Sequence, residues 1–193
     1  MKIRSFLAFE LPLEVETVVT RVSDELRKSS LDAKWVKPEN IHLTIVFMGD
    51  IEADKIPAIK EEIREACLIY DAFDISLKGL GCFPHTRKPR VIWIGLDGDL
   101  ERMSSFRDAL QECLIPFGIK EEKRGFKPHL TLGRFREPRR TNSEELELLS
   151  RYGNVTSPVC SLMQLCLFRS ELKPGGARYT RLGVWPLLRR DDP

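Results

Sequence analysis

Two short stretches of this chain offer the same side chains at the same spacing. Residues 42–45 read His42-Leu43-Thr44-Ile45, and residues 129–132 read His129-Leu130-Thr131-Leu132. Both run His, apolar, Thr, apolar, and the two histidines lie 87 residues apart in a chain of 193. Each is approached through a Lys-Pro pair, in Lys37-Pro38-Glu39-Asn40-Ile41 and in Gly125-Phe126-Lys127-Pro128. The chain has three histidines, the third being His85. A random histidine meets such a pattern at roughly the one-per-cent level, so two of three meeting it by accident is on the order of one in several thousand.

The strand period gives the pattern a physical meaning. Residues i and i+2 of a β-strand share a face. His42 and Thr44 therefore share one face, and Leu43 and Ile45 the other; His129 and Thr131 stand against Leu130 and Leu132 in the same way. Each strand buries apolar residues on one side and presents an imidazole and a hydroxyl on the other. Imidazole titrates near neutrality, so two of them can divide general acid and general base work. A threonine hydroxyl can donate to an oxygen that gains charge in a transition state. Two His and two Thr converging on one point suit a small anionic group such as a phosphodiester. One such histidine alone would read as a half-buried strand residue; the repetition favours chemistry. Composition and spacing by themselves support phosphoryl or acyl transfer by a His pair. They do not say which His is the acid.

The paired motifs resemble those of the 2H phosphoesterase superfamily, and within it the RNA 2′,3′-cyclic phosphodiesterases long called 2′-5′ RNA ligases. The resemblance runs over nearly the whole chain. It includes the opening Arg4-Ser5-Phe6-Leu7-Ala8-Phe9, the approach Trp35-Val36-Lys37-Pro38-Glu39-Asn40-Ile41 and the exit Phe47-Met48-Gly49. It continues through Arg90-Val91-Ile92-Trp93-Ile94-Gly95-Leu96 and through Phe126-Lys127-Pro128 to Gly133-Arg134 around the second motif. The resemblance implies metal-independent hydrolysis of RNA 2′,3′-cyclic phosphate ends to 2′-phosphomonoesters, with no cofactor. It makes His42 the proton donor and His129 the proton acceptor, with Thr44 and Thr131 holding the non-bridging oxygens. Reverse 2′-5′ ligation would be a family trait, and tRNA fragments are among the candidate partners. Two alternatives stay open: a phosphodiesterase acting on 2′-5′ oligonucleotides or small cyclic nucleotides, and a non-catalytic RNA-binding module. Intact His and Thr at all four positions argue against the second. Opposite resting protonation states predict an activity maximum near neutral pH.

The length suits one domain, residues 1–193, or two small lobes sharing a core. Hydrophobic content of 42% is ordinary for a globular protein. A net charge of only +2 excludes a strongly basic nucleic-acid coat. Lys and Arg nevertheless cluster at His85–Arg90 and at Lys120–Arg140, and a local patch can bind RNA phosphates without a high overall charge. Five cysteines, at 67, 82, 113, 160 and 166, lack CxxC spacing. With no secretory leader evident in the first residues, they read as reduced thiols of a cytoplasmic protein, Cys67 and Cys113 buried in helices. No apolar run is long enough to span a membrane. No His/Asp/Glu cluster suggests a metal site, and the expected state is a monomer.

The elements that must position the motifs follow from periodicity. Ile3–Phe9 reads as a strand, and Val15, Val18, Val19, Val22 and Leu26 give a helix over 13–29. Ile41–Met48 is the first motif strand, and residues 54–69 a second helix. Phe73, Ile75 and Leu77 alternate as a strand, with residues 79–89 a loop. Arg90–Leu96 is a strand, and Leu100 to Leu114 a third helix ending before Pro116. His129–Phe135 is the second motif strand. Glu144–Tyr152 is a helix with Ser143 as N-cap, Val159–Phe168 one strand, residues 173–177 a turn, Tyr179–Val184 a last strand, and the charged tail from Arg189 frayed. This predicts an α+β fold of two pseudo-symmetric lobes, each an antiparallel sheet with outer helices, and a cleft between them carrying both motifs. Arg134, Phe126 and Arg90 are candidate substrate-binding residues. Arg134, five residues after His129, falls on the opposite face of a regular strand unless a bend near Gly133 turns it. Phe126 either stacks on a base or packs beneath its loop. Phe47, five residues after His42, reads as core, and His85 as a surface residue.

Overall fold

The computed structural model describes residues 1–137, 140–174 and 176–189. The expected frayed tail from residue 190 onward, Gly175 in the expected turn and Arg139 in the second basic stretch lie outside the described residues. The order of elements is β1 (Lys2–Phe9), α1 (Leu13–Arg27), β2 (Ala33–Trp35), β3 (Leu43–Glu52), α2 (Ile56–Cys67), β4 (Phe73–Phe83) and β5 (Val91–Gly98). Then come α3 (Leu100–Leu114), β6 (His129–Phe135), α4 (Ser143–Arg151), β7 (Cys160–Leu162), β8 (Gln164–Lys173) and β9 (Gly176–Pro186). A 3₁₀ turn, Pro38–Asn40, leads into the first motif.

The strands form one curled antiparallel sheet in the order β7-β4-β5-β6-β3-β1-β8-β9, with β2 added to β6. Its middle joint is thin. A single pair, Leu43 opposite Leu130, links β3 to β6. On either side the sheet is firmly paired, β1 with β3 and β8, and β5 with β4 and β6. The sheet is thus two lobes joined at the two motif strands.

The lobes are not the two halves of the sequence. β4 and most of β5 precede the midpoint of the chain yet belong beside the second motif, and β8 returns from the C-terminal end to sit beside β1, with β9 beyond it. The expected strand Val159–Phe168 is accordingly two strands: β7 pairs with β4 at one end of the sheet, and β8 pairs with β1 in the other lobe. Met163 lies between them, so the chain crosses from lobe to lobe there. Periodicity could not see this, because both pieces are apolar and extended.

Two smaller expectations also change. β4 runs on to Phe83 instead of ending at Gly79, because a bulge between Lys78 and Leu80 takes up the glycine while pairing with β5 continues. The N-cap of α4 is Asn142 and not Ser143. The Asn142 side chain accepts from the Glu145 N–H, and the Glu145 carboxylate accepts from the Asn142 N–H.

The helices lie against one face of the sheet. Val15, Val19, Val22 and Leu26 of α1, Ile59 and Ile63 of α2, and Met103, Phe106, Leu110 and Leu114 of α3 join one hydrophobic cluster with Leu7, Phe9, Ile75, Ile92 and Ile94 of the strands. Leu43, Ile45, Leu130 and Leu132, the apolar motif residues, are buried in the same cluster, as the strand period predicted. A smaller cluster of Phe6, Ala8, Cys166 and Phe168, with Tyr179 against it, sits on the other face of β1, β8 and β9. Alternation along β1 separates the two: Leu7 and Phe9 point to the helices, Phe6 and Ala8 to the cleft. Cys67 is buried and Cys113 partly so, and all five thiols are free.

Gly133 is where β2 crosses β6 at close range. A Cβ there would stand 2.9 Å from Cε3 of Trp35 and 3.4 Å from the Ala33 Cβ. Gly133→Ala is therefore expected to push β2 outward and to destabilise the fold by about 1–3 kcal/mol. Urea denaturation, read as a drop in midpoint at unchanged slope, measures it.

Candidate active site

The register that pairs Leu43 with Leu130 sets His42 across from Thr131, and Thr44 across from His129. With Leu43 and Leu130 directed into the core, the four polar residues share the opposite face of the sheet. All four line one cleft of about 2030 Å³.

Both motif strands carry the same irregularity at the same place. In β3, Val46 pairs with Leu7 and Thr44 with Ala8, so Ile45 is the extra residue of a bulge. In β6, Gly133 pairs with Ile92 and Thr131 with Trp93, so Leu132 is the extra residue. A bulge shifts the alternation by one. The residue five places after each histidine therefore comes to the cleft face instead of the core face. That residue is Arg134 in the second motif and Phe47 in the first. Arg134 lines the cleft. Phe47 lines it as well and is 54% exposed, so its reading as core is corrected. The Arg4 guanidinium lies over the Phe47 ring, 4.8 Å from its centre.

Both imidazoles are held alike. His42 Nδ1 lies 2.8 Å from the Asn40 carbonyl oxygen, and His129 Nδ1 lies 2.7 Å from the Lys127 carbonyl oxygen. A carbonyl only accepts, so Nδ1 is the donor in each ring and Nε2 is left to exchange a proton. The residue between is Ile41 in one case and Pro128 in the other; Pro128 also holds Lys127 extended. Asn40 has a second duty: its side-chain N–H donates to the Ala177 carbonyl at 2.9 Å, tying the 3₁₀ turn to the start of β9.

Aromatic rings surround both imidazoles. Phe6 stacks on His42 at 4.7 Å between ring centres, and Tyr179 meets it edge-on at 5.3 Å. Phe83 meets His129 edge-on at 4.9 Å. Burial lowers the pKa of both histidines from the ordinary 6.5, opposed in each by the carbonyl hydrogen bond. His129 is lowered further by the Arg134 charge; for His42 the causes are burial and the carbonyl hydrogen bond. Tyr179 itself is raised by burial and pulled back by Arg134 and Arg4. Its hydroxyl has no hydrogen-bond partner among the described residues and stands within the field of both guanidiniums. The site can thus move protons at two Nε2 atoms and surround an anion with two hydroxyls and two arginines.

The other sequence candidates divide. Arg90 is exposed on the cleft wall. Phe126 also lines the cleft but packs against the core, with the Arg107 guanidinium 5.3 Å from its ring centre. Its packing reading holds. His85 is exposed outside the cleft, its Nδ1 accepting from the Lys88 N–H. In the basic approach, Arg124 is bound to Glu122 at 2.6 Å on the cleft rim.

Several residues escaped the sequence reading. Phe6 and Tyr179 belong to β1 and β9, and only folding brings them to His42. Arg107 and Gln111 are polar positions in α3 that are buried; Arg107 donates to the Glu122 carbonyl at 3.1 Å, and the Gln111 side-chain oxygen accepts from the Glu122 N–H at 3.0 Å. They pin the segment that delivers Lys127 and His129. Polar residues in an otherwise apolar helical stripe were the one signal available. Among the described residues no group of three or more His, Cys, Asp or Glu is placed to hold a metal ion.

The two histidines should titrate separately. Tyr179→Ala removes part of the burial around His42 and is expected to raise its pKa toward 6.5, whereas Tyr179→Phe leaves it in place. Arg134→Gln is expected to raise the pKa of His129 and not that of His42. Proton NMR titration of the ring Cε1–H signals reads both shifts.

Comparison with known proteins gives the family. The family model of the 2′-5′ RNA ligase superfamily matches residues 12–174. A Methanothermobacter thermautotrophicus protein named RNA 2′,3′-cyclic phosphodiesterase is 36% identical, over 97% of this chain and 100% of its own length. An Archaeoglobus fulgidus protein of the same name is 32% identical, over 94% and 99%. Among solved structures, a Thermus thermophilus protein superposes with a TM-score of 0.81 at 25% identity, covering 97% of this chain and all of that one. Escherichia coli LigT with 3′-AMP superposes with a TM-score of 0.76 at 22% identity, over 98% and 100%, a likeness of fold. By the family model over most of its length, this chain belongs to the 2′-5′ RNA ligase superfamily, the 2H phosphoesterases.

Proposed function

We propose that this protein hydrolyses RNA 2′,3′-cyclic phosphate ends to 2′-phosphomonoesters without a metal ion. The observation that carries the proposal is the shared hold on the two imidazoles, each with Nδ1 bound to a backbone carbonyl and Nε2 left for the cleft. Relatives of matching length named RNA 2′,3′-cyclic phosphodiesterase supply the substrate.

His129 Nε2 takes the proton of a water as its oxygen attacks phosphorus. The bond from phosphorus to the 3′-oxygen breaks, and His42 Nε2 protonates that oxygen. The phosphate remains on the 2′-oxygen. The phosphoryl group gains negative charge as the water oxygen bonds, and the Thr44 and Thr131 hydroxyls and Arg134 offset it where it develops. The electrostatics support the base role: the Arg134 charge disfavours protonated His129, as a base requires. A 5′-hydroxyl in place of water gives a 2′-5′ phosphodiester by the same steps, which is the reverse ligation. In dilute RNA, hydrolysis dominates by mass action. RNA fragments with cyclic ends, those of tRNA included, fit as substrates, and a cytoplasmic monomer would meet them.

Hydrolysis of cytidine 2′,3′-cyclic phosphate in excess EDTA tests the proposal. Wild type should form the 2′-phosphate at an unchanged rate. His42→Ala and His129→Ala should each lose about 10²–10⁴-fold in kcat/KM. Loss of wild-type activity to EDTA would sink the metal-free mechanism, and a 3′-phosphate product would sink the assignment of the leaving oxygen.

The pH profile carries a sign. kcat/KM needs His129 neutral and His42 charged in the free protein. Both pKa values lie below 6.5, so both limbs move down and the optimum of kcat/KM falls on the acid side of about 6.5 instead of at neutrality. A bound phosphate anion raises both values, so the kcat profile sits higher than the kcat/KM profile. Rates from pH 4.5 to 8.5 at low and saturating substrate measure the offset.

A further inference from the structure

Beside the cleft lies a second, smaller chamber of about 550 Å³. It is lined in part by the tip and outer strand of the β8–β9 hairpin, with Lys173, Arg178 and Arg181 from the hairpin and Lys37 from the approach to the first motif. The two chambers meet at His42, and Asn40, Ala177 and Tyr179 line both. The hydrogen bond from Asn40 to Ala177 braces the passage between them.

The charges in this chamber are unequal. Glu10 is occupied by Arg181, at 3.0 and 2.7 Å. Lys173 reaches Glu171 only at 3.9 Å. Lys37 and Arg178 have no ion-pair partner among the described residues, and Glu39 is the remaining lining carboxylate. The balance favours an anion. Phe168 and Tyr179 also line the chamber, from the face of the hairpin opposite to Lys173 and Arg178. Cations beside aromatic rings are the composition that single-stranded nucleic acid uses, phosphate on the one and base on the other. The volume suits one nucleotide.

We propose that this chamber binds the penultimate nucleotide of the RNA, with Lys173 and Arg178 on its phosphate. The inference rests on the function proposed above. A 2′,3′-cyclic phosphate closes the 3′ end of its strand, so the chain continues only through the 5′-oxygen of the same ribose. The 3′-oxygen that His42 protonates stays on that ribose, which places the ribose on the His42 side of the cleft. The strand therefore leaves past His42, and the smaller chamber is the basic space that opens there. The chamber is the part of the site that distinguishes an RNA end from a free cyclic nucleotide.

The test compares wild type with the double variant Lys173→Gln, Arg178→Gln on two substrates: cytidine 2′,3′-cyclic phosphate, and a trinucleotide ending in the same group. Both changes are at exposed positions away from the motifs. Wild type is expected to favour the trinucleotide about three- to tenfold in KM. The double variant is expected to lose that preference, to keep its rate on the mononucleotide, and to show a shallower salt dependence on the trinucleotide alone. Equal KM values for both substrates in wild type overturn the proposal. So does a length preference that survives in the variant, which would send the strand along Arg4 and Phe47 instead. Equal loss on both substrates overturns it too, as a general electrostatic or structural effect. If wild type turns over neither substrate, the cyclic phosphodiesterase reading fails by itself. Fluorescence anisotropy with a labelled trinucleotide 2′-phosphate still decides the chamber: tighter binding by wild type than by the variant supports it, and equal binding overturns it.

Discussion

Leu43 and Leu130 face each other across the one backbone pair between β3 and β6, and both are shut away from solvent in the core. Each lobe can form its own strand pairs without the other, but this pair sets the two motif strands in register. Because side chains alternate along a strand, a slip of one residue would turn a histidine into the core and a leucine into water. Burying two leucines under the joint penalises such a slip by several kcal/mol, at roughly 1.5–3 kcal/mol for each large apolar side chain. The hydrophobic effect, which has no directional chemistry, is what brings four polar groups to one face.

The same two strands are bent in the same way. The extra residues Ile45 and Leu132 keep their side chains buried while the alternation beyond them is reversed. The strand is thereby freed to present a third residue, Phe47 or Arg134, on the face that already carries His and Thr. The repeat of sequence is thus also a repeat of backbone irregularity. What differs between the two motifs is the side chain at the end: a ring in one lobe and a guanidinium in the other. That difference makes the electrostatic surroundings of the two histidines unequal, although their hydrogen bonds are alike. A pair of identical groups becomes an acid and a base only through such inequality.

Aromatic packing adds a second layer of control. Phe6, Tyr179 and Phe168 form a small apolar patch on the cleft face and enclose His42 on two sides. Enclosure removes water from the imidazole and disfavours its charge, while the carbonyl hydrogen bond favours the charged ring. The two effects oppose each other, and burial is the larger.

Much of this protein was legible in the residues alone. The repeated His-Leu-Thr pattern sorted apolar from polar side chains, because a period of two allows only one such sorting. The helices α1 and α3 followed from their apolar spacing for the same local reason. Tertiary structure decided the rest. Val159–Phe168 reads as one strand because both of its pieces are apolar, and only the pairing partners show that the chain changes lobes at Met163. Phe47 reads as core because periodicity assumes a regular strand, and a bulge is invisible without its partner strand. Phe6 and Tyr179 stand 36 and 137 residues from His42 in sequence, and no local pattern links them to it. The sequence by itself determined which groups could act, since that depends on side-chain chemistry and local period. Which of them meet, and in what surroundings, was decided by strand pairing and burial, which are properties of the whole chain.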